Sequence, residues 1–323
     1  AYSAEARFTT RCATCAADEP VTDLDGNTYA TVRIGEQRWM AENLRTTRYA
    51  DGTEIPNPVE AGQWASASAG AWASYDNQAS SDSVYGLLYN GYAVLSDAGL
   101  CPQGWRVPAD EDWAALAEAL GGEPAAGGTM KAPGTDLWTA PNTEGRNESG
   151  FTALPGGRRG GDGGFDSAGA FAYFWGASQA GPLTLSYRYL VHASAALSRL
   201  SATLGSGHSV RCVKPIDPLA LAQARVSQIT PTSASAASEV VGDGGERVTR
   251  RGVVWGTAPD PVLGASGVGS DEAPAAGLGG FSVKMTGLRP STSYHVRAFA
   301  VNAGPDTAYS APAVFKTPCA VCG

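Results

Sequence analysis

Residues 21–44 read VTDLDGNTYATVRIGEQRWMAENL, and this stretch sets the fold of the first part of the chain. Apolar and polar residues alternate on both sides of Asp25-Gly26-Asn27. Successive side chains of a strand point to opposite faces and an Asp-Gly-Asn turn tolerates positive φ, so the pattern predicts a β-hairpin. Upstream, residues 1–18 (AYSAEARFTTRCATCAAD) have no helical period and read as an N-terminal arm carrying Cys12 and Cys15. Downstream, EDWAALAEALGG follows Pro108-Ala109-Asp110; Trp113, Leu116, Ala117 and Leu120 recur at three- and four-residue spacing, with acids in the first turn and glycines as the stop. That predicts one helix. The rest of a domain spanning 19–214 is rich in Gly, Ser, Trp and Tyr and reads as long structured loops, with 210–214 as its closing strand. Pro215 and Pro218 then interrupt the pattern, so 215–222 reads as a stiff linker. Between Gln223 and Thr317, seven short β-type runs separated by Gly, Pro and Asp turns have the spacing of a sandwich. Residues 318–323 form a tail with Cys319 and Cys322.

The 323 residues suffice for two domains, each with its own core, and 43% hydrophobic content supports globular folding. Only 17% of residues are charged, with 23 basic against 31 acidic and a net charge of −8. Phosphates would meet net repulsion and no basic cluster offsets it, which argues against a nucleic-acid partner. No apolar run approaches the roughly 20 residues of a membrane-spanning helix, so no membrane insertion is expected. The start at Ala1 reads as a mature, exported protein whose signal peptide has been removed.

The first domain resembles the Fibrobacter succinogenes major paralogous domain of secreted Fibrobacter and Bacteroidetes proteins. The resemblance covers 21–214 and rests on residues 21–56, ASYDNQAS, YGLLYNGYAV, LCPQGWRVPADEDWAAL, NESGFTALPGGRR, FWGAS and HSVRCVK. It implies an α+β C-type-lectin-like domain closed by a Cys101–Cys212 disulfide. The second domain is similar to an all-β immunoglobulin/fibronectin type III-like sandwich, through RRGVVWGT at 250–257 and LRPSTSYHVRAFAVNAG at 288–304. There Tyr294 matches a corner tyrosine bonded to nearby backbone, and Trp255 a buried core aromatic.

Several candidate sites follow. Asp23, Asp25 and Asn27 alternate oxygens but lack the further ligands of a calcium loop, so a turn is expected and no metal or other cofactor. In lectins of the related fold, acidic and amide groups on the long loop hold calcium and sugar. Ile55-Pro56-Asn57-Pro58 and Tyr75-Asp76-Asn77 are the nearest counterparts, though neither reproduces a Glu-Pro-Asn or Trp-Asn-Asp motif; Asp76 and Asn77, with Trp64 and Trp72 as stacking aromatics, are candidate glycan contacts. Trp138, Tyr173, Phe174 and Trp175 are further stacking candidates, at least half of these aromatics being expected in the core. His192, His208 and His295 are scattered singly and no nucleophile has a neighbouring base, so no catalytic residues are expected and the protein is not read as an enzyme. Ser83, Ser167 and Thr307 each follow Asp and precede an apolar residue, a short Bacteroidetes-type signal for O-glycosylation. Asn147 heads a formal N-glycan signal inside NESGF and reads as structural.

Cys12, Cys15, Cys319 and Cys322 form two CxxC pairs outside both domains. Metal and redox readings stay open, but neither pair opens a helix that would activate a thiol, and disulfides suit an exported chain better than zinc thiolates. Bridges between subunits fit best, because two domains in series hold their far ends apart. The leading expectation is a secreted structural protein of the cell surface that polymerises head to tail with itself into a filament. The alternative is an extracellular adhesin or carbohydrate-binding protein using the lectin-like loops.

Overall fold

The computed structural model describes residues 16–304 and 306–320; Cys12, Cys15 and Cys322, and with them the cysteine part of the N-terminal arm, lie outside these. The chain divides into two compact units between Pro215 and Ile216.

The expected hairpin opens the first unit. Strands Ala16–Thr22 and Thr28–Ile34 pair antiparallel, so strand structure begins five residues before Val21, where the alternation starts. The register shifts between Asp18 and Val21, where Pro20 has no N–H to give to the ladder. At the turn, Gly26 takes φ +82°, and the Asp23 carboxylate accepts from the backbone N–H groups of Asp25 (3.0 Å) and Asn27 (2.9 Å). Gln37–Met40 adds a third strand and Val213–Pro215 a fourth, so the end of the unit closes on its beginning.

An eight-stranded sheet forms the body of the unit, in the order Ser198–Thr203, Thr184–Val191, Phe171–Gly181, Gly156–Arg159, Gly207–His208, Leu88–Asn90 and Trp72–Ala73, with Phe165–Ala168 also paired to Gly156–Arg159. The period of two along its strands separates two cores. Ala172, Phe174 and Leu190 face one, with Trp39, Phe151 and the apolar side of helix Asp110–Ala119. Tyr173, Trp175, Leu185 and Tyr187 face the other, with Tyr29, Leu44, Leu100 and the two cysteines. The helix begins where expected because Asp112 accepts from Ala109 N and is itself held by Arg106 and Gln37.

Cys101 and Cys212 form a disulfide, with Cα atoms 5.9 Å apart across 111 residues of sequence. Cys319 is also disulfide-bonded.

The second unit holds two antiparallel sheets. In one, Ala220–Leu221 and Arg225–Ser227 share one edge of Ser233–Gly242, whose other edge pairs with Gly279–Thr286. In the other, Gly269–Glu272 pairs with Val248–Gly256, then Ser293–Asn302, whose far edge takes both Thr307–Tyr309 and Ala313–Lys316. Strands sharing an edge occupy one position, so the four strands of the first sheet fill three positions and the five of the second fill four. That is a seven-position sandwich of the expected kind. Val253, Val283, Met285, Val296 and Phe315 fill it. The Tyr294 hydroxyl accepts from Arg289 N at 2.9 Å, the corner bond anticipated from sequence. Trp255, expected as the central buried aromatic, is only half-buried, because it stands near the end of its strand and packs over Gly269.

The stretch 215–222 is not a free linker. Pro215 pairs with Gln37 in the first unit, while Asp217 O accepts from Gly244 N and Ala220–Leu221 is a strand of the second. Proline is compatible with these positions because they are strand termini and edges.

Candidate functional site

The alternation that splits the two cores also builds an aromatic face. Phe171, Tyr173 and Trp175 alternate on one strand and Tyr187 and Tyr189 on its partner, in the register Tyr173↔Tyr189 and Trp175↔Tyr187. All five therefore project to one side. Phe171 and Tyr173 lie nearly parallel with centroids 5.5 Å apart, and Tyr189 is within 6.5 Å of both. His208 enters from the next part of the sheet, 5.3 Å from Tyr173 and 4.2 Å from Trp175. The row runs from a buried end at Trp175 and His208 to an open end at half-buried Phe171 and Tyr189. Leu200, opposite Tyr187 in the adjoining strand and so on the same face, is 54% exposed.

Polar groups edge this face. The parallel pairing Gly157↔Ala172 brings Arg158 beside it, with the guanidinium 5.4 Å from the Tyr173 ring centre. Asp166, opposite Arg158, accepts from its Nε at 3.0 and 3.2 Å and also from the Ser167 hydroxyl. Partial burial works to raise the Asp166 pKa, but these bonds and the Arg158 charge outweigh it and hold the carboxyl below its ordinary value. Burial raises the Tyr173 and Tyr187 hydroxyls and pushes His208 down to about 3, so all three are neutral near pH 7. Neither ring nitrogen of His208 has a hydrogen-bond partner among the described residues.

Of the candidate glycan contacts, Trp64 is excluded as a surface residue. It is 1% exposed, its indole donates to Gly205 O, and the Arg159 guanidinium covers its ring at 4.4 Å. Trp72 is half-buried and donates to Ile55 O. Asp76 and Asn77 are exposed in left-handed backbone at φ 52° and 53°. Their neighbour Tyr75 packs edge-on against Phe165, which alternates with Asp166 along its strand and so lies on the side away from the aromatic face. Trp138, Phe174 and Trp175 are core residues. Ser83 and Thr307 are exposed, while Ser167 is half-buried with its hydroxyl engaged by Asp166. Asn147 binds Thr152 through both side-chain groups, a structural tie. Sequence reading missed Phe171, Tyr187, Tyr189, Arg158 and Asp166. Their signal was the alternation F-x-Y-x-W at 171–175 and Y-x-Y at 187–189.

The Asp23–Asn27 turn has no free carboxylate for a cation. Asp23 also accepts from Asn27 Nδ2 and the Tyr29 hydroxyl, and Asp25 from Thr46, Thr47 and Arg48. Among the described residues no three His, Cys, Asp or Glu side chains come together. A cleft of about 430 Å³ beside this turn is lined by Arg48, Tyr49, Cys101 and Gln103, but its charged groups are already paired.

Residues 32–214 match the Fibrobacter succinogenes major domain. The chain belongs to that family. In the major domain, most of the strings carrying the resemblance are internal ties. Arg211 of HSVRCVK is buried with no ion pair among the described residues and donates to Asn43 Oδ1 and to the carbonyls of Met40, Phe151 and Thr152. Arg159 of PGGRR donates to Pro58, Val59 and Gly163 carbonyls and pins the 58–64 segment. Its neighbour Arg158 instead faces the aromatic row. No curated protein matches the chain. Solved structures similar to about a third of it include one described as a myokine structure (20% identity, 32% of this chain, 99% of that chain, TM-score 0.25) and the sensor domain of an anti-sigma factor from Pseudobacteroides cellulosolvens (21%, 32%, 98%, 0.25). The sixth fibronectin type III domain of human fibronectin type III domain containing protein 3 is a third (24%, 33%, 92%, 0.25). The sandwich of the second unit stands on its own strand pairing.

Proposed function

We propose that this chain is an extracellular, non-enzymatic adhesion protein whose first unit, C-type-lectin-like in fold, binds a glycan on the open end of its aromatic face. The observation carrying the reading is the row of aligned rings ending in half-buried Phe171 and Tyr189, edged by polar Arg158 and Asp166. Sugar rings have apolar C–H faces that pack on aromatics, and hydroxyl rims that need planar polar partners. The Cys101–Cys212 disulfide supports an oxidising compartment, and no helix among the described residues is long and apolar enough to cross a membrane. Binding of the full chain to immobilised polysaccharides tests the reading: Phe171→Ala should abolish it, and undiminished binding would refute it.

A second reading is head-to-tail self-assembly through the cysteine-bearing ends. It is favoured by their mounting: Cys15 immediately precedes the edge strand Ala16–Thr22, and Cys319 follows the last strand, Ala313–Lys316, by three residues. Both pairs thus adjoin strands that can pair with another chain. Since Cys319 is already bridged within the chain, a link to a neighbour there requires thiol–disulfide exchange. Fibres in negative stain and a ladder on non-reducing electrophoresis are the expected signs; a discrete monomer under both would end this reading.

A further inference from the structure

The polar edge of the aromatic face narrows the class of glycan, an inference that rests on the face being the glycan site. Arg158 and Asp166 are well exposed, with side-chain exposures of 39% and 47%. The ion pair uses only Nε of Arg158, so among the described residues both terminal nitrogens of the guanidinium are without hydrogen-bond partners. Asp166 Oδ1 also takes the Ser167 hydroxyl, whereas among the described residues Oδ2 receives only the longer 3.2 Å contact from Arg158 and keeps a lone pair open. Free N–H donors and a free carboxylate acceptor therefore stand side by side next to the rings.

A sugar hydroxyl donates and accepts, so two neighbouring hydroxyls satisfy both groups at once. A carboxylate or phosphate satisfies Arg158 but is repelled by Asp166, a charge fixed a hydrogen bond away. Tyr173 and Tyr187, neutral and largely buried behind the pair, add no positive charge to offset that repulsion. We propose that Arg158 and Asp166 are the specificity pair of this unit, holding adjacent hydroxyls of a neutral sugar whose ring packs on Phe171 and Tyr189. Asp166 is the discriminating member, since it is what an anionic ligand cannot tolerate.

The test uses the full chain on immobilised glucan, mannan, xylan and polygalacturonate, with Asp166→Asn, Arg158→Lys and Phe171→Ala. Retention of the Cys101–Cys212 bridge and of the thermal midpoint establishes that each variant is folded. The wild type should prefer a neutral polymer to polygalacturonate. Asp166→Asn should weaken neutral binding about 10-fold or more, the ordinary effect of losing a hydrogen bond to a charged group. Arg158→Lys, which keeps the charge but loses the planar fork, should weaken it similarly. If Asp166→Asn leaves neutral binding unchanged, or polygalacturonate binds best and tightens in that variant, the specificity pair is refuted while loss of binding in Phe171→Ala still upholds the face. If Phe171→Ala binds like the wild type, or the wild type binds none of the four, the reading of the face itself falls.

Discussion

Replacing His208 by Phe should remove a defined part of the first unit's acid sensitivity. The His208 ring is fully buried between Trp175, Tyr173 and Tyr187, with both nitrogens unpartnered among the described residues. Burial, helped by the Arg158 charge and opposed by Asp166, holds its pKa at about 3, against 6.5 for the free side chain. Between these values the folded ring stays neutral while the unfolded chain takes up a proton. Stability at this group is therefore complete above pH 6.5 and drains away as pH falls towards about 3. One proton of difference is worth about 1.4 kcal/mol per pH unit, so going from pH 7 to pH 4.5 removes about 2–3 kcal/mol. The variant has no proton to take up. Its larger ring brings overpacking of about 1–3 kcal/mol, which is present at both pH values and cancels in the difference. Carboxylates held below their ordinary pKa away from His208, such as Asp25 and Asp110, lose stability at low pH in both proteins alike. Urea unfolding followed by tryptophan fluorescence at pH 7 and 4.5 reads the quantity directly. The wild type should lose about 2–3 kcal/mol more than His208→Phe over that interval. Equal losses, within about 0.5 kcal/mol, would refute the reasoning, because His208 would then have to be solvated or hydrogen-bonded in solution.

Other perturbations have equally definite outcomes. Removing the bridge with Cys101→Ala and Cys212→Ala opens a loop of 111 residues and should cost about 5 kcal/mol by chain entropy, read as a lower urea midpoint. A loss under about 1 kcal/mol would contradict that account. Arg211→Met orphans Asn43 Oδ1 and three carbonyls and should cost about 3–5 kcal/mol; Arg211→Lys should recover little, since an ammonium cannot reproduce the fork. Arg159→Ala should free the 58–64 segment and make it the first site of proteolytic nicking, with the rest of the unit cleaved no faster than in the wild type.

Reading order along the chain explains which expectations matched the structure. The Asp23–Asn27 hairpin and the helix at 110–119 are local events: turn chemistry, helical spacing and first-turn acids act within a few residues, and all are visible in the string. The corner bond of Tyr294, five residues from its partner Arg289, is of the same kind. Side-chain exposure is not local. Trp64 reads like a surface aromatic until Arg159, nearly a hundred residues away, lies over it. Trp255 follows the same logic in reverse, its place near a strand end leaving it half open.

The candidate site shows the same division. Composition, alternation and family strings were enough to predict an α+β domain followed by a β-sandwich, a bridge between Cys101 and Cys212, and aromatics at 173–175, but the stretches read as long structured loops supply most of an eight-stranded sheet. Which aromatics share a face depends on strand register, and one residue of slip would turn Tyr187 and Tyr189 into the opposite core. Arg158 reaches those rings through one parallel pairing, and Asp166 reaches Arg158 through the neighbouring strand. Alternation assigns residues to one side or the other of a strand. Only the pairing of distant strands brings particular sides together, and the chemistry of this surface arises from that pairing.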